Sequence, residues 1–186
     1  MPERACVFID GSNFYHACRE NMGGRTDVNL GAFSTWLFTP SRQHVRTYYY
    51  NCPLPPTSTP ELLRGQQKFY GVLHRTPYFE VRLGKLVPRD FRCNGCNAVR
   101  QIMTEKGVDM RIGIDMLLGA IRNIYDTAIL VSGDADFAEA VKAVKETGRH
   151  VEIASFAPNR ANELMQAADV SKTLTSADLR PFLLRP

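Results

Sequence analysis

No apolar run in the chain approaches the roughly 20 residues that a helical membrane span requires, so a membrane partner is not expected. The first residues, "MPERACVFID", lack a basic leader and a longer apolar stretch, so no signal peptide is expected either. Cysteine is sparse: Cys6, Cys18, Cys52, Cys93 and Cys96 are an odd count and mostly scattered. That excludes an obvious disulfide framework and fits a reducing cytoplasm. There is no repeat, no low-complexity tract and no linker long enough to divide 186 residues. Residues 1–186 are therefore read as one domain, long enough to bury a core. A charge excess of +4 is too small to imply a polyanionic partner by itself.

What the chain does have is alternation of short apolar runs with amphipathic stretches. "ACVFID", "VRTYYYN", "TAILVSG" and "HVEIASF" are rich in β-branched, aromatic and apolar residues and predict strands. "GSNFYHACREN" predicts a helix starting at Ser12 or Asn13, and Leu62, Leu63, Phe69, Tyr70 and Leu73 predict another over 61–73. In "VDMRIGIDMLLGAIRNIYD", Ile112, Met116, Leu117, Ala120, Ile121 and Ile124 form one helical stripe. "DFAEAVKAVKETG" predicts a helix with Phe137, Val141 and Val144 inward and Gly148 as its stop, and "NRANELMQAAD" a final helix. "PLPPTSTP" is a surface loop, "YFEVRLGKLV" a strand or hairpin, and the segment around 75–105 a basic, less regular insertion. Together these predict an α/β fold with a mainly parallel sheet covered on both faces.

Ligands of such sheets bind at the carboxyl ends of the strands. "IDGSN" ends the first strand with Asp10, and "SGDADF" ends a later one with Asp134 and Asp136. Asp109 stands at the start of the long helix and Asp115 lies six residues on; six helical steps rotate roughly 240°, so at most one of them faces a shared site. Each acid taken singly has a structural explanation, as a helix cap or a solvated helix residue. Taken together they predict an acidic pocket without histidine, suited to Mg²⁺ or Mn²⁺. Such an ion acidifies water and clamps the oxygens of a phosphodiester.

"CNGC" (Cys93 to Cys96) is either a turn with two reduced thiols or half of a structural Zn²⁺ site, with Cys52, His44 or His74 recruited from afar. Between Glu61 and Arg100, basic residues including Arg92 and Arg100 interleave with Phe69, Tyr70, Tyr78, Phe79 and Phe91. That mixture suits single-stranded nucleic acid, although most of these aromatics also serve as core.

The ordered motifs "FIDGSNFYH", "EKGVDMRIGIDML" and "ILVSGDADFAEAVKAVKETGRHVEIASF" resemble the NYN domain, the LabA-like branch of the PIN-like nuclease superfamily. The resemblance runs from Cys6 through Leu174 and implies a three-layer α/β/α Rossmann-like sandwich that cleaves RNA with a metal. It implies Asp10, Asp115, Asp134 and Asp136 as metal ligands, Asn13 as an orienter of water or substrate, and Asp109 as a further pocket acid. Lys106 and Ser12, with Arg92 and Arg100, become candidate RNA contacts, and homodimer formation stays open. Two other readings compete: a catalytically silent RNA-binding or scaffold module on the same fold, and a Mg-dependent phosphatase of haloacid-dehalogenase type. The phosphatase chemistry needs an acid two residues after Asp10, where this chain has Ser12.

Overall fold

The first strand, β1 (Glu3–Asp10), lies in the middle of a six-stranded sheet. It is followed by α1 (Gly11–Asn21), α2 (Leu30–Leu37), β2 (Arg42–Asn51), α3 (Pro60–Arg75) and β3 (Phe79–Leu83). An antiparallel pair, β4 (Lys85–Arg92) and β5 (Val99–Lys106), precedes α4 (Val108–Ile121). Then come β6 (Thr127–Val131), α5 (Ala138–Glu146), β7 (His150–Phe156), α6 (Asn162–Ala167), β8 (Val170–Leu174) and α7 (Ser176–Leu179). The structure is a computed structural model and describes residues 1–38, 41–92, 95–157 and 160–184.

Within the sheet the order is β3-β2-β1-β6-β7-β8, and every pairing is parallel. After β1 the chain builds outward through β2 and β3, then returns to place β6 on the other side of β1. The direction of winding therefore reverses between β1 and β6, the crevice where open parallel sheets bind ligands.

Strand alternation divides the core into two layers. Cys6 and Phe8 of β1 and Ala128 and Leu130 of β6 face Ile112 and Met116 of α4, Val141 of α5 and Leu164 of α6. Val7, Ile9, Ile129 and Val131 face the opposite layer, with Phe14 of α1, Phe33 of α2, Tyr70 and Leu73 of α3 and Leu179 of α7. Both faces of the central strands are buried, which is why their sequences read as continuous apolar runs. The chain is thus the α/β/α sandwich that the alternation of runs predicts.

Several local expectations change. The first helix starts one residue earlier than expected, because Asp10 itself is the N-cap of α1 and accepts from the Asn13 N–H. Helix α2, strand β8 and helix α7 escape the sequence pattern: α2 has a high apolar content throughout, and β8 is exposed along most of its length. The helix read as final is therefore followed by an edge strand and one more turn of helix. Ile121 and Leu62 lie on the exposed sides of α4 and α3 rather than in the core. "YFEVRLGKLV" is one strand of the main sheet followed by the start of a separate ribbon, the break falling at Gly84. The irregular segment after it is the β4–β5 ribbon, whose strands are exposed on both faces and so lack alternation to read.

Candidate active site

The sheet register sets the site. Ile9 pairs with Val131, so the residues that follow, Asp10 and Ser132, lie side by side at the carboxyl ends of β1 and β6. A chain of hydrogen bonds ties the two strand ends together. Asp10 Oδ1 accepts from the Asn13 N–H at 3.1 Å, and Asp10 Oδ2 accepts from the Ser132 hydroxyl at 3.1 Å. The Ser132 Oγ accepts from the Asp134 N–H at 3.2 Å, and Asp134 Oδ1 from the Asp136 N–H at 3.0 Å. Across the crevice, Asn13 Oδ1 accepts from the Gly133 N–H at 3.1 Å. Asn13 is thus first a latch between α1 and the β6 end.

Close backbone approach makes this corner possible. A Cβ at Gly11 would lie 2.5 Å from the Tyr49 ring and from the Tyr50 carbonyl oxygen, so a side chain there would force α1 off the sheet. Helix α4 begins beside the same edge through Gly107, which adopts φ 82°. Gly107 is its N-cap, and Asp109 sits in the first turn. The amino ends of α1 and α4 therefore both meet the acidic edge, where their partial positive charge favours carboxylates.

Asp10 is 4 % exposed. Burial pushes its carboxyl up to about 6; the Asn13 N–H and the Ser132 hydroxyl oppose the rise, and the charges of Asp109 and Asp134 add to it. Asp109, at the exposed rim, is also raised, by partial desolvation and then by Asp134 and Asp136. Four of the sequence-predicted acids, Asp10, Asp109, Asp134 and Asp136, therefore share one electrostatic neighbourhood. None of them forms an ion pair among the described residues.

Asp115 is the exception, because other side chains of the chain engage it. It pairs with the Arg82 guanidinium from β3, accepts from the Tyr50 hydroxyl at 3.0 Å and lies 3.8 Å from Arg111 Nε. Arg82 also bonds Glu80 at 2.9 Å and covers the Tyr48 ring at 4.3 Å. The carboxylate is thereby neutralised in a separate cluster on the α4 face of the sheet. Of the two helix acids that cannot share a face, Asp109 is the one that feels the charges of Asp134 and Asp136.

A fifth acid, unmarked in the sequence, reaches the same rim. Glu105, at the end of β5, is raised by burial and by Asp109, while His16 of α1 opposes the rise. Nothing in "MTEKG" singles it out; only the docking of the ribbon beside α1 and α4 brings it to the rim.

The other candidates are dispersed. Ser12 is half-buried in the first turn of α1. Lys106 ends β5, paired with Lys85 at the base of the ribbon. Arg92 and Arg100 are near its far end, seven residue steps or about 24 Å along an antiparallel strand in the case of Arg92. Arg92 is paired with Val99 and Arg100 with Phe91, so the two arginines lie on opposite faces. Cys93 lies outside the described residues; Cys96 is an exposed free thiol. Cys52 is buried with its thiol donating to the Lys85 carbonyl, and His44 meets Thr47 at 2.9 Å.

A mainly parallel six-stranded sheet flanked by helices is consistent with the fold of the PIN-like superfamily. The chain belongs to the NYN domain family within that superfamily: residues 4–175 match the family. Along 98% of its length it is 27% identical to the low amplitude and bright protein LabA of Synechococcus elongatus, covering 88% of that protein. Its fold is similar to the crystal structure of a protein of unknown function from Vibrio parahaemolyticus, with a TM-score of 0.71 at 23% identity, covering 98% of this chain and 97% of that one.

Proposed function

We propose that the protein is a metal-dependent ribonuclease that hydrolyses single-stranded RNA in the cytoplasm, with Asp10, Asp109, Asp134 and Asp136 as its acidic pocket. The observation that carries the reading is Asp10: a buried carboxylate held by two hydrogen bonds at the sheet's reversal point, surrounded by like charges and given no basic partner. A carboxylate so placed is costly unless a cation joins it.

The donor set is oxygen only, which fits Mg²⁺ or Mn²⁺ rather than a softer ion. Among the described residues, no three acidic, histidine or cysteine side chains close around a common point as they stand. Mg²⁺ keeps several waters and is held directly by one or two carboxylates. Bound there, the cation would neutralise phosphate charge and acidify the attacking water.

The chain's own residues do the rest. Asp10 and Asp134 are oriented by Ser132, which donates to one and accepts from the backbone of the other. Asn13 spends its carboxamide oxygen on Gly133 and keeps two N–H donors for water or a phosphate oxygen. Asp109 and Asp136, at the exposed rim, would orient water for the ion held by Asp10 and Asp134. Lys106, beside the start of α4, meets phosphate on the approach.

The test is incubation of purified protein with end-labelled single-stranded RNA, with Mg²⁺, Mn²⁺ or EDTA, beside an Asp134→Asn variant. Metal-dependent cutting that falls by about 10- to 100-fold in the variant is expected, the scale on which metal sites respond to lost support. Equal cutting by wild type and variant, or hydrolysis of small phosphate monoesters with RNA intact, would overturn the proposal.

A further inference from the structure

The register of the β4–β5 ribbon sorts its charges. Residues directly opposite each other in an antiparallel pair share a face, and successive residues along a strand alternate between faces. The pairs Lys85–Lys106, Arg89–Ile102 and Phe91–Arg100 therefore lie on one face, which carries no carboxylate. The other face carries Asp90 and Glu105 against a single arginine, Arg92. It is also the face turned toward the body at the base, where Leu86 packs against the core and Glu105 senses Asp109 and His16.

The basic face is unpartnered and self-opposing. Lys85 stands directly opposite Lys106, a like-charge pair that weakens a ladder. Among the described residues, none of the four basic side chains makes an ion pair. Phe91 is 54% exposed and Ile102 45% exposed between them. A two-stranded ribbon with little packed against it is marginal in water, and a polyanion would relieve its repulsion. A second copy docking by the same face would set four positive charges against four, which argues against self-association there.

We propose that this face is a track for single-stranded RNA, with phosphates on Lys85, Lys106, Arg89 and Arg100 and an unstacked base on Phe91. The ladder runs from the tip to Lys106, which adjoins the start of α4 and its pocket acid Asp109. Aromatic and basic groups on one surface recognise single strands, because an unpaired base offers its π-face, whereas the deep groove of duplex RNA admits little side-chain contact. The choice of RNA as the polyanion rests on the ribonuclease reading; the charge-sorted face stands without it.

The experiment is fluorescence anisotropy of a labelled single-stranded RNA with the full chain in EDTA, which separates binding from cleavage. An Arg89→Gln/Arg100→Gln variant should bind at least tenfold more weakly, with the slope of log K against log salt reduced by about 1.4 for two lost phosphate contacts. Arg89→Lys/Arg100→Lys should stay within threefold of wild type, which guards against a fold defect. Phe91→Ala should weaken binding at least fivefold. Val99→Glu/Met103→Glu, with the same net charge change on the opposite face, should stay within threefold. Equal losses from both faces, no binding by wild type, tighter binding of duplex DNA or of anionic phosphatidylserine vesicles, or a changed sedimentation mass with unchanged RNA affinity would each overturn the track. Wild-type cleavage with unaffected binding by the Gln variant sinks the track and leaves the nuclease standing; binding through the face without cleavage under any metal does the reverse.

Discussion

Asp10 and Asp115 are two carboxylates near one sheet edge, and the fold treats them oppositely. Asp115 sits on α4 with a guanidinium against it and a tyrosine hydroxyl donating to it. Asp10 is the more buried, has hydrogen-bond donors but no cation, and faces two further negative charges. The first arrangement is complete within the chain. The second leaves a buried carboxylate without counter-charge from the chain, which is the gap that the proposed metal ion would fill. Burial alone does not distinguish them; the provision of counter-charge does.

Cleavage should break the symmetry of the pair most. Asp10→Asn is expected to reduce metal-dependent RNA cutting by about 100-fold or more, while Asp115→Asn stays within about tenfold; initial rates on one labelled RNA compare them. Comparable losses would place Asp115 back in the pocket.

Stability comes next, and here the order reverses. Burial raises the Asp10 carboxyl to about 6 in the fold, above the ordinary aspartate value of about 3.9, so the native state holds a proton that the unfolded chain has released between those values. Stability from this group is therefore present below about pH 4 and lost as pH rises through 6. Asp10→Asn removes that loss, and chemical denaturation in EDTA should show it more stable than wild type by about 1–3 kcal/mol at pH 8, the difference vanishing near pH 4. Mg²⁺ should raise the wild-type midpoint at pH 8 and leave the variant's unchanged.

For Asp115 the sensitive partner is the cation. Arg82→Met should destabilise by about 1–3 kcal/mol at pH 7, less than a fully buried pair because both side chains retain some solvent contact. The smallest effect belongs to Arg111→Ala. Its guanidinium is half exposed and 3.8 Å from Asp115, so urea unfolding should shift by no more than about 0.5 kcal/mol.

The legibility of these features follows their physics. The central strands could be read because both faces are buried, and α4 and α5 because one face is. Asp10, Asp134 and Asp136 could be placed at strand ends because strands stop where apolar runs stop. That Asp109 and Asp115 diverge also follows from helical geometry. Which of them faces the pocket does not, because the partner that removes Asp115 comes from β3, far away in the chain. The ribbon resisted reading for the opposite reason to the core: exposed on both faces, it carries no hydrophobic alternation, so nothing local marks its strands or sets Arg92 apart from Arg100.

By itself the sequence determined the layered α/β architecture and the acids that close its strands, because burial periodicity and turn chemistry act over a few residues. Only the tertiary structure decided that β1 and β6 are neighbours, that Ser132 joins Asp10 to Asp134, that Arg82 silences Asp115, and that the ribbon's positive charges gather on one face. Those outcomes depend on strand order and pairing register, which bring together groups whose charges and hydrogen bonds have no effect on one another along the chain.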